Sequence, residues 1–306
     1  MMNYYYERKL ESFGIPHKTC DRYAEPHRFY HTWDHIQSML DMAQAMGILT
    51  DDLLLAIIFH DIIYDPKGDM NEELSVEHLQ HWVQNEAVNQ AILDTKTHKA
   101  TSELSEQLIK LDLSVLNDTF ENFVEYENKI FKEYQWVDYS SYKERRIEIL
   151  KSYNVNPDWI EYVRLRKPNI AVYPGSFNPF HIGHLNILEK AEKIFDKVII
   201  GKGNNPGKDL SESSLLLPDA IQYRQCEYYG GLLTTFMNGF DYDVTLIRGL
   251  RNASDLQYEL TQYRVLQDLK PDIKIVSIFC DKEFEHISST MIRQLKGYMR
   301  TTKYEV

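Results

Sequence analysis

In the stretch YPGSFNPFHIGH (residues 173–184), two histidines, His181 and His184, follow a tight turn marked by Gly175, Asn178 and Pro179. Residues 169–173 upstream form a short apolar run of strand character. Downstream, Leu185, Ile187, Leu188, Ala191, Ile194 and Phe195 recur at helical spacing. The histidines therefore fall where a strand becomes the first turn of a helix. Unpaired backbone N–H groups and the positive end of the helix dipole favour an anion there, and phosphate is the natural candidate. Three further segments carry groups suited to phosphate. Residues 203–208 deliver Lys208, residues 245–251 deliver Arg248 and Arg251 ahead of Asp255, Tyr258 and Glu259, and residues 286–293 bring Ser288, Ser289 and Thr290. Hydroxyls at a helix start can cap it and leave amides for an anion. All four segments fall at the carboxyl ends of strand-like runs, where open α/β sheets bind ligands. Arg248 and Arg251 could also pair structurally with Asp255 and Glu259.

A second set of reactive groups lies in the first half. RFYHTWDHI (28–36) puts His31 and His35 on one helix face, one above the other. AIIFHDIIYDP (56–66) embeds His60 and Asp61 in an apolar run, and Asp112 sits among leucines. Buried ionisable groups are costly unless paired or bound to metal. The set is either an internally satisfied polar network or a divalent-metal site. Mixed imidazole and carboxylate donors suit Mn²⁺, Fe²⁺, Zn²⁺ or Mg²⁺ and do not choose among them.

The elements that hold these groups change character along the chain. Helical periodicity runs through 36–46, 52–64, 74–83, 103–116, 121–136 and 142–150. After Lys167-Pro168, strand-like runs at 170–173, 197–201, 243–247 and 273–279 alternate with helical stretches, which implies a parallel sheet with crossover helices. The expected architecture is multidomain: an all-α domain over 1–165, then an α/β Rossmann-like domain over 168–306. The 306 residues suffice for two cores. A formal charge of −12 argues against broad nucleic-acid binding, so an anionic ligand must meet a local cluster of cations. Three cysteines without metal-type spacing, no leader-like start and no membrane-length apolar run lead us to expect a cytoplasmic protein with no membrane partner.

Several of these segments resemble known families. YPGSFNPFHIGH resembles the (T/H)xGH signature of the nucleotidylyltransferase superfamily, and ISSTMIR (287–293) its second phosphate motif. RGLRNASDLQYE (248–259) looks like the RGLR-x3-D-x2-YE segment of the phosphopantetheine adenylyltransferases. That resemblance covers roughly 169–298 and implies transfer of AMP from ATP to 4′-phosphopantetheine, giving dephospho-coenzyme A and pyrophosphate. It further implies that His184 contacts the ATP phosphates, with His181 at the variable motif position, and that Ser176 bridges the substrates. Lys208 and Arg248 would hold the acceptor's phosphate. Phe177, Arg251, Glu259, Ser288, Ser289 and Thr290 would bind ATP, with Mg²⁺ on its phosphates. Leu266 departs from the family's usual asparagine, residues 209–225 depart from its usual helix, and FNPFHIGH and ISSTMIR are also similar to the pyridine mononucleotide adenylyltransferases. A non-catalytic nucleotide-binding scaffold is the remaining alternative. The relatives' assembly implies a homo-oligomer.

EPHRFYHTWDHI, FHDIIYDP, NEELS and TKTH resemble an HD-superfamily metal-dependent phosphohydrolase branch over roughly 20–150. By that resemblance His35, His60, Asp61 and Asp112 are metal ligands, His31 is a proton donor or phosphate contact, and Glu72 and His98 serve substrate or a second metal. Lys110 stands where relatives often carry a further acid.

Overall fold

Three helices of the first half begin at polar caps supplied by the sequence. Thr50 accepts from Leu53 N to open α3 (Asp51–Phe59), Asn85 from Ala87 N and Val88 N to open α5 (Glu86–Thr95), and Ser102 from Ser105 N to open α6 (Glu103–Asp112). The structure is a computed structural model that describes residues 4–203, 218–296, 303, 304 and 306. Contacts divide the chain into two units, Met1–Glu133 with Leu150–Ile160, and Tyr134–Ile149 with Glu161–Val306.

In the first unit, α3 is buried at every position from Leu53 to Phe59, as befits a helix at the centre of a bundle. Around its core lie Leu10 of α1 (Tyr4–Ser12), Ile36 and Leu40 of α2 (Trp33–Ala45), Leu79 of α4 (Asn71–Gln80), Ile92 of α5 and Leu108 of α6. Phe123 of α7 (Phe120–Glu133) stacks on Trp159 at 4.8 Å. The helix expected over 52–64 stops at Phe59. The break lies at the amides: Ile63 N donates to Ser75 Oγ at 3.1 Å instead of to Phe59 O, and Ile62 N makes the tighter bond to Phe59 O at 3.3 Å. The Arg28 guanidinium then donates to Asp61 O at 2.7 Å and Ile62 O at 3.0 Å, fixing the chain beyond the helix end. Three helices that the periodicity did not isolate are α1, α5 and α9 (Pro157–Leu165).

The second unit takes in the start of α8 (Tyr139–Ser152) and the segment before it. Lys197 Nζ donates to Gln135 O and Val137 O, Gln225 N donates to Gln135 O at 3.0 Å, and Tyr242 OH donates to Asp138 Oδ2 at 2.6 Å. Its sheet comprises β1 (Ile170–Gly175), β2 (Lys197–Gly203), β3 (Cys226–Tyr229), β4 (Val244–Leu250) and β5 (Ile275–Phe279) in the order β3-β2-β1-β4-β5, every pair parallel. β3, a four-residue edge strand, was too short to show alternation. On one face Ala171, Tyr173, Val198, Ile200 and Ile247 pack with Ile187 and Leu188 of α10 (Ile182–Ala191). The other face gathers Leu246 and Ile273 with Met237 of α11 (Leu233–Met237) and Leu266 of α12 (Ala253–Leu269). A short α13 (Ser289–Lys296) follows β5. Chain order reverses between β1 and β4, so their carboxyl ends flank the crevice where such sheets bind ligands. Among the described residues no helix is long and apolar enough to cross a membrane.

Candidate functional site

The turn after β1 is built around Phe177, a non-glycine residue at φ +42°. A Cβ on Gly175 would lie 2.7 Å from the Phe177 ring, so only glycine fits there. Phe177 then packs edge-on against Tyr173 and His184, at centroid distances of 5.2 and 5.0 Å. His181 caps α10, and the two imidazoles form a reciprocal capping pair. His184 N donates to His181 Nδ1 and His181 N donates to His184 Nδ1, each at 3.3 Å, while the rings stack at 3.6 Å. Gly183 permits the stack, since a Cβ there would meet His181 Cε1 at 3.1 Å.

This pairing fixes the protonation of both rings. Burial, then the Arg251 charge, lowers His181 to about 4; burial, His181 and Arg251 hold His184 well below the usual histidine range. A neutral ring whose Nδ1 accepts from an amide carries its proton on Nε2. Each histidine is thus a neutral Nε2–H donor at a helix start, able to meet an anionic oxygen without titrating near neutral pH.

Facing them, Arg251 is clamped by Asp255 through Nε and Nη2, each 2.9 Å from a carboxylate oxygen. Arg248 forms an ion pair with Glu259 at 3.1 Å, but its buried Nε has no aligned hydrogen-bond partner. Both pairings left open by the sequence are therefore present. Ser289 Oγ donates to Pro179 O at 3.0 Å, and Arg293 donates to Asn178 O, tying the start of α13 to the β1 turn. The result is a cleft of about 400 Å³ lined by Phe177, His181, His184, Arg248, Arg251, Glu259, Ser288 and Ser289 among others. Ser176 and Thr290 stand outside that lining, and Lys208 lies outside the described residues. Cys280 and Phe284 also line the cleft and carried no sequence signal; Leu266 is instead a core residue, 8% exposed.

A larger cavity of about 710 Å³ opens at the other pole of this sheet, lined by Lys143, Lys270 and Lys274 beside Asp241, Asp243 and Asp272. Helices α9, α11 and α12 end next to it, at Arg166, Asn238 and Lys270. Their carbonyl ends disfavour an anion there, whereas the first cleft adjoins helix amino ends.

In the N-terminal unit, ligand atoms of His35, His60 and Asp61 lie within 4.8 Å of one another. His35 Nε2 is 3.1 Å from Asp112 Oδ1, and His98 Nε2 is 3.2 Å from Asp112 Oδ2. Tyr153 OH bonds His98 Nδ1 at 2.8 Å. These contacts would suit a closed polar network, but His60 breaks it. Its Nδ1 donates to Ile57 O at 2.9 Å, while its buried Nε2 lacks an aligned partner although Asp61 Oδ2 is 3.0 Å away. In the neutral tautomer that Nε2 is a lone pair facing carboxylates, which repels unless a proton or cation sits between. Burial works to lower His60, and Asp61 and Asp112 overcome it, raising the ring well above its usual range. Two imidazole nitrogens and two carboxylates fit a divalent ion. Glu72, at the start of α4, is raised by burial and then by Asp61, whereas Lys110 is exposed.

Sequence reasoning missed two supports of this centre, Arg28 and Glu133. Arg28, with a fully buried side chain, also donates to His31 O at 3.2 Å. Its position three residues before His31 was the available signal.

A family model described as Cytidylyltransferase-like matches residues 172–295. The chain is 36% identical over 139 residues to the phosphopantetheine adenylyltransferase of Mycoplasma capricolum, covering 43% of this chain and 99% of that relative. The corresponding protein of Clostridium tetani is 35% identical over 134 residues, 42% of this chain and 83% of the relative. That of Rhodopirellula baltica is 33% identical, over 42% of this chain and 74% of the relative.

Proposed function

Since the chain belongs to the phosphopantetheine adenylyltransferase family through its C-terminal unit, which is a nucleotidyltransferase, we propose that it moves AMP from ATP to 4′-phosphopantetheine, releasing pyrophosphate. The observation that carries the reading is the stacked, reciprocally capped pair His181 and His184 at the switch point of the sheet. The nucleophile is a phosphate already ionised, so the site needs no general base. What it must supply is alignment and stabilisation of charge on the α-phosphate and the departing pyrophosphate. His184 Nε2–H serves that charge, with His181 beside it. Arg251, held rigid by Asp255, and the Ser288, Ser289 and Thr290 start of α13 bind the ATP phosphates, and Phe177 packs behind His184. Glu259 holds Arg248 in place for the acceptor's phosphate, joined by Lys208, and Ser176 bridges the two substrates. Mg²⁺ arriving with ATP neutralises its phosphates.

Leu266 favours a second acceptor. It is packed with Leu246 and Ile273, so the position offers no amide to a pantetheine arm. Nicotinate or nicotinamide mononucleotide is the alternative. Pyrophosphate release with ATP, Mg²⁺ and each acceptor in parallel, with products identified by mass, decides: dephospho-coenzyme A alone supports the first reading and a dinucleotide the second. No pyrophosphate with any acceptor refutes both.

For the N-terminal unit we propose a metal-dependent phosphohydrolase centre of the HD type, with His35, His60, Asp61 and Asp112 as ligands. The buried His60 Nε2, without an aligned hydrogen-bond partner and facing the Asp61 and Asp112 carboxylates, supports it. A bound divalent ion would activate water and neutralise a phosphoester. Metal content of the purified chain, set against His60→Ala, tests this; equal metal in both overturns it.

A further inference from the structure

The last residue of α7 is a glutamate whose carboxylate is wholly buried yet saturated with donors. Glu133 Oε1 accepts from the backbone N–H of Phe29 and Tyr30 at 2.7 Å each and of His31 at 3.0 Å. Its Oε2 accepts from Tyr64 OH at 2.8 Å and meets His31 Nδ1 at 2.6 Å, with no Glu133 side-chain surface exposed. Three of these five donors cap the 29–31 turn. The other two converge on the His31 ring. Tyr64 also stacks on that ring at 4.2 Å, and Tyr30 meets its edge at 5.2 Å. The imidazole is held on both sides and by one nitrogen.

We propose that Glu133 is the positioning residue for His31: it fixes the ring with Nδ1–H donated to its own carboxylate and leaves Nε2 as the nitrogen offered to a ligand beside Asp61 and Asp112. The inference rests on the phosphohydrolase reading only for the chemistry that Nε2 performs. Among the described residues Nε2 has no protein hydrogen-bond partner, and the ring is 19% exposed. A carboxylate at 2.6 Å stabilises the doubly protonated ring. Glu133 remains ionised: burial alone would raise it, and His31 with the turn amides holds it at about 2. In hydrolysis of a phosphomonoester, water oxygen bonds to phosphorus and the bond to the leaving oxygen breaks with its electron pair. That oxygen takes the Nε2 proton, and the proton released by the attacking water restores the ring. The substrate class this favours is a phosphoester of an alcohol, whose poor leaving group needs the proton.

The test uses the full chain, labelled with ¹⁵N at histidine and loaded with Zn²⁺, with His31 assigned by its absence in His31→Gln. The expected spectrum has a slowly exchanging proton on His31 Nδ1, lost in Glu133→Gln and weakened in Tyr64→Phe, which keeps the carboxylate should Glu133→Gln not fold. A His31 proton on Nε2 alone, or an Nδ1 signal indifferent to both substitutions, overturns the clamp without any appeal to turnover. With phenyl phosphate and 4-nitrophenyl phosphate as probes, Glu133→Gln should slow the first on the order of 10²-fold and the second less than about tenfold. Equal losses on both would show that Glu133 only supports the fold. Absence of hydrolysis in the wild type would refute the phosphohydrolase reading and leave the spectrum to judge the clamp.

Discussion

Replacing His181 with asparagine isolates the electrostatic state of the adenylyl site. Asparagine is a strong N-cap, so the bond from His184 N keeps an acceptor and α10 keeps its start. What disappears is a base whose folded pKa is about 4 against an ordinary 6.5. Burial is the main cause and Arg251 the neighbouring charge. Below pH 6.5 the unfolded chain binds a proton that the folded chain refuses, so stability present above that value is lost as pH falls toward 4. Each unit is worth about 1.4 kcal/mol, so the penalty reaches about 2 kcal/mol near pH 5 and about 3 kcal/mol in full. The variant should therefore gain about 2 kcal/mol relative to wild type between about pH 7 and about pH 5. Hydrogen exchange in the peptides spanning β1 and α10 across a urea series reads this unit apart from the helical one. Parallel losses in both proteins would mean that His181 titrates normally in the fold, and the neutral Nε2–H pair would be refuted.

Two further substitutions probe the supports. Arg28→Met leaves the carbonyls of His31, Asp61 and Ile62 without their donor and should cost about 3–5 kcal/mol, with Arg28→Lys recovering little because an ammonium cannot fork; calorimetry of the N-terminal unit's transition checks both. Gly183→Ala gains about 1 kcal/mol of helix propensity but forces a contact with the His181 ring, so the melting temperature should hold while pyrophosphate formation falls at least about tenfold; an unchanged rate would refute the role given to the stack.

Much of this was legible because short-range rules decided it. The turn glycine and the helical spacing after it located His181 and His184, and strand-like runs between helical stretches located β1, β2, β4 and β5. The sequence could not show that the two imidazoles cap each other, since Nδ1 acceptance by both rings depends on the exact backbone of the turn. Nor could it show where α3 ends. Local periodicity ran on through residue 64, and it is the hydroxyl of Ser75, on the next helix, that takes the Ile63 amide out of the ladder. Glu133 was hidden for the same reason: it reads as an ordinary helix-end acid, and its partners lie about a hundred residues away in the chain. Arg248 and Arg251 each matched a phosphate motif and a salt-bridge spacing at once, and the structure makes both pairings while leaving the two side chains in the cleft.

The most direct test of the account is the single-turnover rate of pyrophosphate formation in His184→Ala, with the melting temperature measured alongside. If His184 Nε2–H stabilises the charge that builds on the phosphates, the rate should fall about 10²–10³-fold while the melting temperature moves by only a few degrees. A folded variant that turns over within about threefold of wild type would contradict the assignment of the paired histidines as the catalytic centre.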